Sequence, residues 1–163
     1  MTTPEVQSIL FVCLGNICRS PMAAGITRQL AARRQPALTV EAAGVGPWHV
    51  GKPPDGRAIA TAQRHGIDLT EDRARMITED DFRDFDLILA MDSAVLADIW
   101  QRVPSDATAR IGLFHAVAAD RERDVPDPYY GGDDGFDLVF DEIETAARSL
   151  IARLASTEDA SAA

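Results

Sequence analysis

Four short apolar runs constrain this chain most, because each is separated from the next by a stretch with helical spacing. The runs are 8–12, 38–43, 87–91 and 109–113. The clearest of them, at 8–12 and 87–91, are apolar without polar alternation and read as strands buried on both faces, as in a parallel sheet. After the first run, Ser20-Pro21 opens a helix where a missing proline N–H costs nothing, and Met22, Ile26 and Leu30 mark its buried stripe. Asp55-Gly56 leads into a second helix through Ala58, Ile59 and Ala62, which Gly66 stops. Val95, Leu96, Ile99 and Trp100 belong to a third. Phe136, Phe140, Ile143, Ala147, Leu150 and Leu154 line one face of the last. Residues 44–54 and 115–135 read as loops. Strand and helix in alternation predict a single doubly wound α/β domain, a four-stranded parallel sheet flanked by helices. That domain spans 1–155, and the small, polar tail 156–163 is expected to fray.

Composition narrows what the domain can do. A net charge of -10 argues against a nucleic-acid interface, so any anion must be held by a field built locally. No apolar run approaches the ~20 residues that span a bilayer, and the first residues lack a secretory signal. Neither nucleic acid nor membrane is expected as a partner, and the cytoplasm is the expected location, with signal-independent export left open. His49, His65 and His115 are scattered singly and read as surface or packing residues, so no metal site is expected. Cys13 and Cys18 have four residues between them, which is not the spacing of a redox Cys-x-x-C pair.

In a doubly wound domain ligands bind beyond the carboxyl ends of the strands, which directs attention to the loop after the first strand. It reads Cys13-Leu14-Gly15-Asn16-Ile17-Cys18-Arg19-Ser20. Between a buried strand and a helix N-terminus, such a loop turns successive backbone N–H groups inward as an anion nest. Gly15 gives backbone freedom there, and Asn16, the sole asparagine, tolerates a left-handed conformation. A thiol at Cys13 faces the helix end and the Arg19 guanidinium, which favours the nucleophilic thiolate. Arg19 offers a planar fork matched to two phosphate oxygens. The Ser20 hydroxyl can donate to the thiolate. Taken singly, Cys13 passes as a buried strand-end cysteine and Arg19 as a solvated helix residue; their joint placement points to chemistry. Cys18 reads either as packing or as a redox partner of Cys13.

The segment Val12 to Ala23 resembles the signature of the low-molecular-weight protein tyrosine phosphatases. Asp127-Pro128-Tyr129-Tyr130-Gly131 resembles that family's general-acid loop. Ala43-Gly44, Arg73-Ala74-Arg75 and Met91-Asp92 fit its order, and Trp48-His49-Val50-Gly51 is similar to a segment of actinobacterial members. The resemblance implies a phosphocysteine on Cys13, phosphate held by Arg19 and the loop 14–20, and Asp127 as general acid and then base. It implies a slot walled by Trp48, Tyr129 and Tyr130 that favours phosphotyrosine in proteins, with no metal or organic cofactor. The bland alternative for these aromatics is core packing, which fits Tyr130 better than Tyr129, and Trp100 reads as packing or a partner surface.

Three rivals remain. Arsenate reduction by this type of loop relays a disulfide through further cysteines, and none follows Cys18. Arginine phosphatases resembling this loop carry threonine where this chain has Ile17. A phosphotyrosine-binding module needs neither nucleophile nor acid. The chain also departs from its family at Ala42, Asp72 and Val95, where serine, histidine and asparagine frequently brace the phosphate loop. Asp72 is expected either to turn away from the loop and pair with an arginine, Arg73 or Arg75 being nearest in sequence, or to lie in solvent; either way Asn16 and Ser20 are left mainly to backbone contacts.

Overall fold

A computed structural model describes residues 5–162, apart from the side chains at 133 and 156–162. Strands β1 (Ser8–Cys13), β2 (Thr39–Gly44), β3 (Leu87–Ala90) and β4 (Arg110–Leu113) form one sheet in the order β2-β1-β3-β4, every pair parallel. The inner strands β1 and β3 are buried almost throughout, whereas the edge strands β2 and β4 are partly exposed, β4 passing from exposed at Arg110 to buried at Leu113. The two-residue period of β1 divides the interior. Ile9, Phe11 and Cys13 face one core together with Leu87 and Leu89, while Leu10 and Val12 face another with Ile88 and Ala90.

Helices α1 (Arg19–Arg34), α2 (Gly56–Arg64), α5 (Phe114–Ala119) and α6 (Asp133–Ala162) contribute to the first core, and α3 (Asp81–Asp84) and α4 (Ser93–Arg102) to the second. The chain leaves β1 towards β2 on one side and returns to β3 on the other. The loops after β1 and β3 therefore part at a topological switch point, where a crevice opens.

Several expectations need correction. The first turns of α1, Arg19 to Thr27, are buried on every side, because α1 lies between the sheet and α6. Small residues permit this: a Cβ on Gly25 would come within 2.9 Å of both Leu69 and Ile67. The expected loop 115–135 holds all but the first residue of α5, whose six residues are too few to show a period and which ends at Asp120 in the left-handed conformation, and it overlaps the start of α6 at Asp133. Trp100 is 56% exposed and not part of the α4 packing stripe. The backbone of α6 continues as helix through Ala162, while the side chains of the tail expected to fray lie outside the described residues.

Candidate active site

Strand β1 ends at Cys13 and α1 begins at Arg19, so residues 14–18 must reverse the chain above the sheet edge. Asn16 makes the turn with φ 58°, the left-handed conformation its side chain was expected to tolerate. The carbonyls of Cys13, Leu14 and Ile17 accept from amides outside the loop. Val45 N–H reaches the Cys13 and Leu14 carbonyls at 3.1 Å each, Gly46 N–H reaches Leu14 at 2.9 Å, and Asp55 N–H reaches Ile17 at 2.8 Å. By contrast, the N–H groups of Gly15, Asn16, Ile17 and Cys18 donate to no protein acceptor among the described residues. Occupied carbonyls and uncommitted amides make an anion nest. The loop sits so close to β2 that a Cβ on Gly44 would lie 3.0 Å from the Asn16 nitrogen and the Leu14 oxygen. Glycine is required there for close approach, a role the sequence alone did not reveal.

Behind the nest lies a short polar relay. The Ser20 Oγ is 3.0 Å from the Cys13 Sγ, 2.8 Å from the Asn16 Oδ1 and 3.3 Å from the Ala43 carbonyl. Serine has one hydroxyl proton to give. With Cys13 as a thiol, S–H donates to Ser20 and Ser20 donates to Asn16. With a thiolate, the serine proton turns to sulfur, and a half-turn of the Asn16 amide lets its NH2 donate to Ser20 instead. As built, Asn16 Nδ2 donates to the Ala42 carbonyl at 3.5 Å, so the brace rests on backbone oxygens, as expected from the missing side chains. Asp72 does turn to an arginine, but to Arg28 at 3.9 Å, not Arg73 or Arg75. Arg75 is occupied by Asp81, and Arg73 donates to the carbonyls of Thr70 and Asp72. Burial holds the Asp72 carboxyl above its ordinary range despite the pull of Arg28.

Arg19 is buried, and its Nη1 donates to Asp92 Oδ2 at 2.7 Å and to the Val125 carbonyl at 2.9 Å. Burial opposes its charge, but the neighbouring Cys13 sulfur and Asp92 carboxylate outweigh that and keep it a cation. Among the described residues Nη2 has only a long 3.7 Å contact with Asp127 Oδ2, so its donors and Nε remain for a ligand. Asp92 therefore serves twice, aiming Arg19 and capping α4 through the Val95 N–H at 2.7 Å. Asp127 Oδ1 accepts the Tyr129 N–H at 3.0 Å, an Asx turn around Pro128 that fixes the carboxylate. Arg57 ties this loop down by donating to the Tyr129 and Gly131 carbonyls while pairing with Asp55.

These groups meet around a cavity of about 370 Å3 lined by Cys13, Leu14, Gly15, Ile17, Cys18, Arg19, Trp48, His49, Asp127, Tyr129 and Tyr130. All the expected site residues line it except Asn16 and Ser20, which stand behind the loop as braces. Tyr130 is 87% exposed and Trp48 63%, so both form the rim, and the reading of Tyr130 as core packing is overturned. Cys18 is buried in the wall, and burial, followed by the Asp55 charge, pushes its thiol far up. While Cys13 carries its charge, Cys18 stays protonated and does not compete for phosphorus. Asp92, Arg57 and His49 were missed as site residues. Asp92 lay in a segment matched to the family, but nothing local distinguished it from other acidic residues. His49 was set aside as a surface or packing residue, yet its ring packs against Gly15 and 6.3 Å from the Tyr129 ring.

Residues 8–160 match the family model described as low molecular weight phosphotyrosine protein phosphatase. The low molecular weight phosphotyrosine protein phosphatase of Schizosaccharomyces pombe is 43% identical over 82% of this chain and 87% of its own. A crystal structure of a protein tyrosine phosphatase from Entamoeba histolytica, with Hepes in its active site, superposes with TM-score 0.84 at 32% identity, covering 93% and 98% of the two chains. A Drosophila arginine phosphatase superposes with TM-score 0.82, also at 32% identity, over 89% and 96%.

Proposed function

The chain belongs to the low molecular weight phosphotyrosine protein phosphatase family, and from that premise we propose that Cys13, Arg19 and Asp127 carry out the hydrolysis. The Cys13 thiolate attacks phosphorus as the bond to the phenolic oxygen breaks, and Asp127 gives that oxygen its proton. Arg19 and the amides of 15–18 hold the equatorial oxygens throughout, a positioning and electrostatic role. Asp127, now ionised, takes a proton from water as the water oxygen attacks phosphorus and the S–P bond breaks, releasing phosphate and the thiolate. No metal or organic cofactor takes part in this route. The observation that carries the reading is the meeting of thiol, guanidinium, carboxyl and uncommitted amides around one cavity. Trp48, Tyr129 and Tyr130 at its rim suit an aryl phosphate, and so phosphotyrosine in proteins. Ile17 in the wall weighs against the arginine-phosphatase alternative. Assays on phosphotyrosine, phosphoserine and phosphoarginine peptides, with arsenate reduction alongside, test it: phosphotyrosine should lead, and preference for phosphoarginine would overturn the substrate assignment.

No helix among the described residues is long and apolar enough to cross a membrane. We place the enzyme in the cytoplasm, where a reducing milieu suits its two free cysteines.

In kcat/KM, which reports the steps up to phenol release, Asp127→Ala should lose little on aryl phosphates with acidic leaving groups and about 10^2–10^4-fold on those with basic ones, because only a basic phenolate needs the proton. A leaving-group series in steady state checks this, and a uniform loss would assign the acid elsewhere.

Mild peroxide should inactivate the enzyme reversibly by joining Cys13 to Cys18, both in the same cavity wall. Cys18→Ser should make that inactivation irreversible to thiol. Full recovery of the variant would make Cys18 purely structural.

A further inference from the structure

We propose that the groove between α5 and α6 is a second binding site, for a small organic phosphate. The groove encloses about 600 Å3 and shares no lining residue with the catalytic cavity. Arg121, Arg123 and Arg153 line it against a single carboxylate, Glu142, which leaves a surplus of positive charge in a chain of net charge -10. Glu142 fixes Arg123, and Asp120 fixes Arg153 from a position largely in solvent, where it orients more than it neutralises. Arg121 is exposed and makes no ion pair among the described residues, so its fork is available to an anion. A second observation points the same way. His115 in the groove wall is only 5% exposed, yet its Nε2 has no hydrogen-bond partner among the described residues, with Glu142 Oε1 at 3.7 Å. A buried imidazole nitrogen without a partner is unfavourable until a ligand supplies one. Burial, together with Arg123 and Arg121, outweighs Glu142 and holds this imidazole neutral, able to meet a ligand hydroxyl.

The size of the groove decides between ligands. A bare phosphate would reach the arginines but leave most of the volume empty, whereas an organic moiety can fill it against Ala119 and Ala146 and reach His115. The site is also placed to regulate. Arg121 N–H bonds the His115 carbonyl at 3.1 Å, and the same segment continues to Val125, whose carbonyl aims Arg19, and to Asp127.

Amide NMR of the wild-type protein titrated with glucose 6-phosphate, with inorganic phosphate and glucose as separate arms, tests this. Glucose 6-phosphate should shift amides of 115–123 and 142–153 with a midpoint distinct from that of 13–20, and the shifts should extend to 125–127. In Arg121→Gln, an exposed position outside the catalytic machinery, the groove midpoint should weaken about tenfold, while aryl phosphate hydrolysis in buffer alone is unchanged. Shifts confined to 13–20 would overturn the site. An equal midpoint for inorganic phosphate would overturn the organic ligand. Groove shifts that stop short of Val125 would overturn the regulatory role.

Discussion

Cys13→Ser is expected to leave a folded protein that still holds phosphate but turns over aryl phosphates about 10^5-fold more slowly or worse, close to 7 kcal/mol of barrier. The substitution is nearly isosteric in a site that is already polar: the Ser20 hydroxyl lies 3.0 Å from the sulfur and can bond an oxygen as well. Binding survives because it resides in the amides of 15–18 and in Arg19, which the change does not touch. Turnover is lost because a serine hydroxyl stays protonated where a cysteine can become thiolate, and no base lies behind it. Ser20 brings only a neutral hydroxyl, 2.8 Å from Asn16 Oδ1, and Asp127 is required as an acid on the leaving-group side. Phosphate binding by calorimetry alongside steady-state rates separates the two effects. Retained turnover would remove Cys13 from the chemistry.

Arg19→Lys is expected to cost about 10^2–10^3-fold in kcat/KM, and Arg19→Ala more, even though lysine keeps the charge. The reason lies in how the guanidinium is divided. Nη1 is consumed by Asp92 and the Val125 carbonyl, and only the planar fork leaves Nη2 and Nε over for phosphate. An ammonium that satisfied Asp92 and Val125 would have one donor remaining and no plane to present. Arg19→Ala also leaves the Asp92 carboxylate without its cation, so it should unfold at lower temperature than Arg19→Lys. Rates and thermal melts on both variants check this. A lysine variant with unimpaired kcat/KM would show that charge alone suffices.

What could be read from the sequence follows from how local each signal is. The inner strands announced themselves because Ser8–Cys13 and Leu87–Ala90 are buried on both faces beyond Ser8, and past that serine carry an unbroken apolar run. The phosphate loop was legible because its parts are contiguous and each has a distinct chemical reason. Asp92 and Arg57 were not, because their roles arise from contacts 73 and 72 residues away, with Arg19 and with the Tyr129 carbonyl. Asp127 could be singled out only by resemblance, since its turn is one that any Asp-Pro pair can make. The partner of Asp72 was misassigned for the same reason. Nearness in sequence favoured Arg73 and Arg75, but α1 carries Arg28 past the loop that holds Asp72. The short α5 was missed because six residues do not establish a period, and its burial comes from Phe114, His115 and Ala118 meeting α6.

The proposal that Cys13 is the nucleophile is tested most directly by trapping the phosphoenzyme. Asp127→Ala, given an aryl phosphate with an acidic leaving group, should form the intermediate readily but hydrolyse it slowly, because the same carboxyl must activate water. Acid-free quenching within the first turnover, followed by peptide mass spectrometry, should place a phosphoryl group on Cys13, and none should be found in the Cys13→Ser, Asp127→Ala double variant. A phosphoryl group on any other residue, or turnover with no covalent intermediate on Cys13, would contradict it.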